Sequence, residues 1–327
     1  MADKSEMDSA GILPGPISLL WRLIIAASLV PMGLFLFSQL SRFIFVAELV
    51  HNFRLQLTLA LIPFAILSLG FRKSWFPVIL IGTTIWCAYP IAISYVPALQ
   101  PPPGPQRIKV MSHNVLGINR QYVDVIHQVR EVDPDVLLVV EYSRNWLDAL
   151  ELLNEQFPYR IEQARWHGFG IGLFSKYPIE KQIVVQLTGD TTDNPLIVGH
   201  INIGNQTVRF AGLHSLSPTN RFRMNLRNQQ FQDAAEYLKT SDLPTLVLGD
   251  FNCVPWSFFL HDFAQTTGYR DSRIGFGYQG SWPDFLPALI PIDHAFASRL
   301  IHVHTRRIGK RCGSDHCPII LEISVSE

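Results

Sequence analysis

Cysteine is scarce in this sequence: Cys87, Cys253, Cys312 and Cys317 are the only four in 327 residues, and no two stand in a C-x-x-C spacing. That excludes a disulfide framework and a thiolate metal knuckle. The one pairing the spacing leaves open is Cys312–Cys317, a geometrically demanding short-range bridge. Charge is missing from one region only. Residues 1–105 hold 6 Lys/Arg and 4 Asp/Glu, whereas residues 106–327 hold 21 and 23, so the larger part is slightly acidic. A sum of that sign excludes a broadly basic surface of the kind that coats nucleic acid. Internal repeats are absent too, and the only biased tract is one proline cluster.

In place of charge, the first third carries three apolar stretches: Leu23 to Ser41, Leu55 to Phe71 and Ser74 to Gln100. A bilayer core of about 30 Å takes roughly 20 apolar residues in helix. The first and third reach that length, and the second does so if Arg54 snorkels to the interface. Pro63, Pro77 and Pro90 disfavour soluble helices but are tolerated in membrane spans. Trp75, Trp86, Tyr89 and Tyr95 suit interfacial anchoring. A cleaved signal peptide fits poorly, because the tail before the first stretch leans acidic and two more stretches follow it. The expectation is a multi-pass protein of the cell membrane, with three transmembrane helices in residues 1–100. PPPGP, Pro101 to Pro105, reads as a stiff linker (101–106). A polar domain over 107–327 follows. Lys4, Arg22, Arg72 and Lys73 favour a cytoplasmic N-terminus and an extracytoplasmic polar domain, although Arg42, Arg54, Arg107 and Lys109 nearly balance them.

From Arg107 onward short apolar runs predict strands at Ile108–Ser112, Val136–Val140, Gly170–Ser175, Gln182–Leu187, Leu196–Ile203, Thr207–Leu213, Thr245–Leu248, His294–Ala297 and Ile319–Ile323. Helices are predicted at Tyr122–Val132 and Asn225–Lys239. Roughly ten strands with few helices indicate a mixed α/β sandwich rather than an alternating parallel fold. Several of the strands end in a polar side chain: VMSHN, LLVVE, FAGLH and LVLGDFN. A strand is a rigid support, and successive strand ends can gather residues distant in sequence into one site.

Taken singly, these residues are uninformative. Glu141 could cap the helix after it, Asp250 could close an Asx turn, Asn114 could be a loop amide, and His214 could be a packed or surface histidine. In order along the chain they are SHNV with Asn114, VVEYS with Glu141, GLHSLSP with His214 and GDFNCVPWS with Asp250 and Asn252. PIDHAF with Asp293 and GSDHCPI with Ser314, Asp315 and His316 complete the series. In that order the polar domain, over about 108–323, resembles the endonuclease/exonuclease/phosphatase superfamily. The resemblance implies a four-layer αββα sandwich of the deoxyribonuclease I-like type and hydrolysis of phosphate esters.

It also implies roles. Hard carboxylate and amide oxygens suit Mg²⁺ or Mn²⁺. Glu141 would be the first ligand, with Asp315 and Asn114 completing or supporting the shell. Asp293 and His316 would form an acid–imidazole pair, in which the carboxylate fixes the tautomer and supports the cation. Asp250 would orient or deprotonate the attacking water, Asn252 would hold a phosphate oxygen, and His214 would donate to the phosphate or assist the leaving group. Whether Asp250 or His316 is the general base stays open at this stage.

His113 and His294 alternate to the opposite face of their strands and read as structural. Arg221, Arg223, Arg227, Arg306, Arg307, Lys310 and Arg311 could draw a phosphate-rich ligand, or could be solvated surface. Trp256 and Trp282 could stack on a base, line an apolar pocket or simply pack. The substrate reading is a phosphodiester, nucleic acid first and a lipid head group as the rival, with the bilayer as the other partner and no protein partner inferable. A non-catalytic binding module on the same fold is the alternative of another class; the filled motif positions argue against it.

Overall fold

The computed structural model describes residues 16–70, 75–166, 168–187, 194–284 and 290–326. The apolar third folds into helices α1 (Pro16–Ser38), α2 (Phe45–His51), α3 (Arg54–Ser68) and α4 (Phe76–Ile93). Two helical stretches, Leu19–Ser38 and Phe76–Ile93, are long and apolar enough to cross a membrane; α2 and α3 qualify only together, and they are bent by 66°. The expected second span, Leu55 to Phe71, is therefore a shorter helix. The 15 residues of α3 reach only about 22 Å. The expected third span also ends early, at Ile93.

α2 explains the bend. Glu48 and His51 are buried, whereas Val46 and Leu49 are exposed. Water would favour the opposite arrangement, so the outward face of α2 is suited to hydrocarbon. The Glu48 carboxylate pairs at 2.6 Å with the buried guanidinium of Arg227, far along the chain. Trp256 Nε1 donates to His51 O at 2.8 Å. Arg54, expected to snorkel, turns inward. Its guanidinium donates to the carbonyls of Cys87 and Trp86 at 2.8 and 2.7 Å, tying the start of α3 to the end region of α4.

The polar region alternates strands and helices. The strands are β1 (Ile108–Asn114), β2 (Val136–Val140), β3 (Tyr159–Gln163), β4 (Ile171–Ser175), β5 (Ile179–Val185), β6 (Leu196–Ile203), β7 (Gln206–His214), β8 (Thr245–Asp250), β9 (Arg270–Asp271), β10 (Asp293–Ala297), β11 (Ile301–Ile308) and β12 (Ile319–Val325). The helices are α5 (Tyr122–Val132), α6 (Arg144–Leu150), α7 (Arg221–Leu238) and α8 (Phe258–Thr267). One sheet runs β11-β12-β1-β2-β4-β3 and the other β5-β6-β7-β8-β10-β9. Alternation along each strand builds three apolar layers. Val110, Leu138, Phe210 and Leu248 meet between the sheets. Met111, Leu137 and Val139 pack under α5 and α6. Val247, Leu213 and Phe296 pack under α7 and α8. This is the expected αββα sandwich. All four cysteines are free and buried, so Cys312 and Cys317 are not bridged.

The same parity aims the polar strand ends. Asn114, His214, Asp250 and Asp293 continue the alternation of the residues that face the inter-sheet core. His113 and His294 fall on the outer faces, as expected, where His113 Nε2 meets His316 O at 3.3 Å and His294 Nε2 meets Cys253 O at 2.7 Å. β7 runs parallel to β8 with His214 opposite Asp250, and β10 runs antiparallel with Asp293 opposite Asp250. Three functional side chains thus sit side by side at one end of one sheet.

Gly249 makes that register possible. Its φ is +141°, and a Cβ there would lie 1.9 Å from Leu213 O. Gly249→Ala must push β7 and β8 apart beside Asp250, so a loss of about 3 kcal/mol is expected, read as a lowered denaturation midpoint of the full-length chain in detergent.

The segment after α4 lies along the sandwich. Gly275 N and Gly277 N both donate to Ser94 O, at 2.7 and 3.0 Å. Gln100 exchanges two hydrogen bonds with the backbone of Val303, at 3.1 and 2.7 Å. Within PPPGP, Pro101 O accepts from the His302 ring and Gly104 N donates to Ser324 Oγ.

Candidate active site

The strand ends open into a cavity of 660 Å³ lined by Glu141, His214, Asp250, Asn252, Asp315 and His316, among others. Asn114 lies beneath them and links the groups. Its Nδ2 donates to Glu141 Oε1 at 3.2 Å and to Asp250 Oδ2 at 3.1 Å, while its Oδ1 accepts from Leu116 N at 3.0 Å. Glu141 takes a further bond from Gly117 N at 2.9 Å and sits at φ +58°. Asn252 is likewise left-handed, at φ +47°. Non-glycine residues held there cost energy that the surroundings must supply, and such outliers cluster at functional sites.

His316 Nδ1 is 2.8 Å from Asp293 Oδ2, and its Nε2 is 3.7 Å from Asp250 Oδ2. Burial works against the imidazolium, but Asp293, Asp250 and the hydrogen bond to Asp293 outweigh it and push His316 up to about 10. Asp293 stays below the usual carboxylate range: burial would raise it, and the charge and hydrogen bond of His316 prevail. Asp250 goes the other way, to about 7, because burial and the neighbouring Asp293 outweigh what His316, Asn252 and Asn114 return. His214 Nε2 lies 3.8 Å from the same Asp250 oxygen, yet burial pulls this histidine down to about 4, against the Glu141 carboxylate. At neutral pH one imidazole is cationic and the other neutral. The difference arises because only His316 has a carboxylate bonded to its ring.

One ligand atom each from Asp250, Asp293 and His316 lies within 4.8 Å of the others, a spacing that could hold a metal ion. The Asp293–His316 bond already accounts for much of that closeness. Asp315 and Glu141, which also line the cavity, offer harder donors. Asp315 Oδ2 accepts from Trp282 Nε1 at 2.9 Å, and its buried Oδ1 has no hydrogen-bond partner among the described residues. An orphaned carboxylate oxygen on a residue that lines the same cavity as Glu141 fits an oxygen-seeking divalent cation.

Some expectations change. Arg227 is fully buried against Glu48 and donates to Asn252 O at 3.1 Å. Arg306 is buried and holds Gln279 and Asp293 O. Neither is available to draw in a phosphate. Trp256 packs on α2 and stacks with Tyr278, whereas Trp282 lines the cavity. Asn252 donates one amide hydrogen to Ser215 O at 3.0 Å, so only its remaining N–H and its oxygen are free to act. The sequence reading missed the cavity wall formed by Phe45, Leu49 and Asn52 of the α2 region. Glu48 was the available signal: it is the sole carboxylate after residue 8 in the first 105 residues, and a lone acid in an apolar region needs a partner.

The structure is similar to D. rerio TDP2 complexed with single strand DNA product, with a TM-score of 0.59 and 15% identity over 67% of this chain and 100% of that one. A truncated Caenorhabditis elegans TDP2 gives 0.55 and 18% over 67% and 98%. The human Nocturnin catalytic domain with bound sulfate anion gives 0.55 and 17% over 70% and 96%. At these identities the likeness establishes a shared deoxyribonuclease I-like fold. Comparison with curated proteins finds no significant match. The sequence profile of one family matches residues 111–316, a span that contains every strand-end residue of the cavity. On that match, covering more than half of its length, the chain belongs to the Endonuclease/Exonuclease/phosphatase family and is a hydrolase of phosphate ester bonds.

Proposed function

We propose that this protein is a membrane-anchored, divalent-metal-dependent phosphodiesterase. The observation that carries the reading is the buried Asp293–His316 pair facing Asp250 across 3.7 Å. A cationic His316 cannot accept a proton, so the base is Asp250, and His316 is the charge that balances a pentacoordinate phosphate. Water adds through its oxygen to phosphorus, its proton passes to Asp250, and the phosphorus–alkoxide bond breaks. The products are a phosphomonoester and an alcohol; the alkoxide regains the proton that Asp250 took, returned through water, while neutral His214 can offer only a hydrogen bond. Asn252 offers its free N–H to a phosphate oxygen. Asn114 holds the Glu141 and Asp250 carboxylates apart, so it positions both.

Glu141 and Asp315 would hold Mg²⁺ or Mn²⁺, which supplies Lewis-acid neutralisation of the phosphoryl oxygens. The donors are carboxylates, and such ions prefer oxygen. Hydrolysis of bis-p-nitrophenyl phosphate by the full-length chain in detergent is expected to stop in EDTA and to return with Mg²⁺ or Mn²⁺. Glu141→Ala should need on the order of 10–100-fold more metal for half-maximal rate. Undiminished turnover in EDTA would remove the metal from the mechanism.

We further propose the division 1–100 membrane, 101–106 linker and 107–327 catalytic, with the catalytic part outside the cytoplasm. α1 ends where Arg42 pairs with Asp262 at 3.2 Å, and α4 ends where Ser94 O meets the loop at Gly275. The start of α3 is tied to the end region of α4 by Arg54. Counting the bent α2–α3 pair as one span, three crossings would put the start of α1 on the side opposite the sandwich. With Arg54 buried, one of the nearly balancing positive charges leaves the sequence count, which then leans toward Lys4, Arg22, Arg72 and Lys73 as the cytoplasmic set.

A further inference from the structure

The catalytic cavity has walls of two kinds. The inner end is made of strand-end acids, amides and histidines, while the side nearest α2 is made of Phe45, Leu49 and, across from them, Trp282, Ile290 and Ile292. Leu49 is also part of the outward face of α2 with Val46, which is 55% exposed, and Phe43 and Phe53 flank the helix at 70% and 49% exposed. An apolar track thus runs from the region of the membrane helices into the site. No Lys or Arg is among the described residues that line the cavity. A nucleic-acid backbone is held chiefly by neutralising successive phosphates with Lys and Arg; here Arg223, over the Phe169 ring at 5.8 Å and acting on His214, is a single cation beside the lining rather than a row of them. A soluble diester without hydrocarbon chains gives the apolar side little to bury. A molecule with one phosphodiester and hydrocarbon chains suits both walls.

Resting on the phosphodiesterase reading above, we propose that the substrate is a bilayer amphiphile, a phospholipid-like diester, whose head group reaches Asp250 and His316 while its chains lie along Phe45, Leu49 and the outer face of α2. The short helix that docks through Glu48 and His51 is thereby a specificity element: its polar side fixes it to the sandwich and its apolar side guides the substrate. Hydrolysis removes the head group from the chains by the same water addition, leaving one product in the membrane and one in solution.

The test reconstitutes the full-length chain in vesicles of phosphatidylcholine and phosphatidylglycerol with Mg²⁺ or Mn²⁺, and measures release of water-soluble product. Parallel arms use bis-p-nitrophenyl phosphate and a single-stranded DNA oligonucleotide. Phospholipid turnover is expected to exceed that of DNA. Phe45→Ser and Leu49→Ser should lower kcat/KM for phospholipid on the order of tenfold more than for the soluble diester, whose hydrolysis also reports that each variant is folded. Phe45→Leu should recover most of the loss. Equal losses on the two substrates, or DNA cut in preference to phospholipid, would overturn the proposal. If bis-p-nitrophenyl phosphate is cleaved in a His316-dependent manner and phospholipid is not, the substrate class falls while the phosphodiesterase reading stands. If neither is cleaved, both fall.

Discussion

His316→Ala is expected to lower kcat/KM for a phosphodiester by about 10³-fold or more, which is about 4 kcal/mol of transition-state stabilisation. The size follows from what would be lost. The imidazolium is buried and held by Asp293 at 2.8 Å, and it stands beside Asp250. Charges fixed in a dry cavity act strongly on a developing negative charge because they need no reorganisation. Asp293→Asn separates charge from bulk. It keeps the shape but removes the group that sustains the cation, so the loss should be partial and its pH profile altered. For the unaltered chain, activity should rise as Asp250 ionises near pH 7 and fall as His316 loses its proton near pH 10. Bound metal adds positive charge and shifts the lower limb downward. In Asp293→Asn the upper limb should move to lower pH, since His316 has lost its strongest support. The stability linkage has a definite sign as well. The folded-state value of His316 is raised, so its contribution is complete below about pH 6.5 and disappears as pH climbs through about 10.

Glu48→Ala should destabilise the full-length chain by about 3–5 kcal/mol, the range for removing one partner of a buried pair. Arg227 has no exposed surface, and without Glu48 its guanidinium keeps, among the described residues, hydrogen bonds to Asn228 and the carbonyl of Asn252 and the ring faces of Phe231 and Phe259, but no countercharge. Arg227→Met together with Glu48→Leu should recover much of the loss, because two apolar groups leave no charge stranded. Thermal unfolding in detergent of Glu48→Leu, Arg227→Met and the double variant closes the cycle. Additive losses in the double variant would show that the pair contributes nothing as a pair. Turnover should fall in Glu48→Ala as well, since Arg227 helps to hold the left-handed backbone at Asn252.

The sandwich was legible because strand alternation is a local signal. Val136–Val140 and Leu196–Ile203 have the bounds their apolar runs indicate, and the parity that buries Leu248 also aims Asp250 inward. Of the edge strands, β5 was legible in part, whereas β3, β9 and β11 were not. β3, Tyr159–Gln163, is mostly half-exposed and polar, and β11 carries His302, His304, Arg306 and Arg307 among its apolar residues. Positive φ at Glu141 and Asn252 leaves no mark on residue type. The arginines misled for a physical reason: a guanidinium that is buried and paired looks, in sequence, like one in water. Arg227 finds its partner in a helix that an apolar-run reading passes over, since Glu48 and His51 interrupt the hydrophobicity between two longer stretches.

The strap from Ser94 to Gly104 has a kinetic consequence. Held to the sandwich by Gln100, Pro101 and Gly104, it limits the slack with which the catalytic part could pivot, so under the proposed membrane anchoring the cavity would keep one height and one bearing over the bilayer. Such an enzyme samples its surroundings by drifting in two dimensions, and its turnover should track the mole fraction of substrate in the membrane plane while remaining indifferent to the volume of water around it.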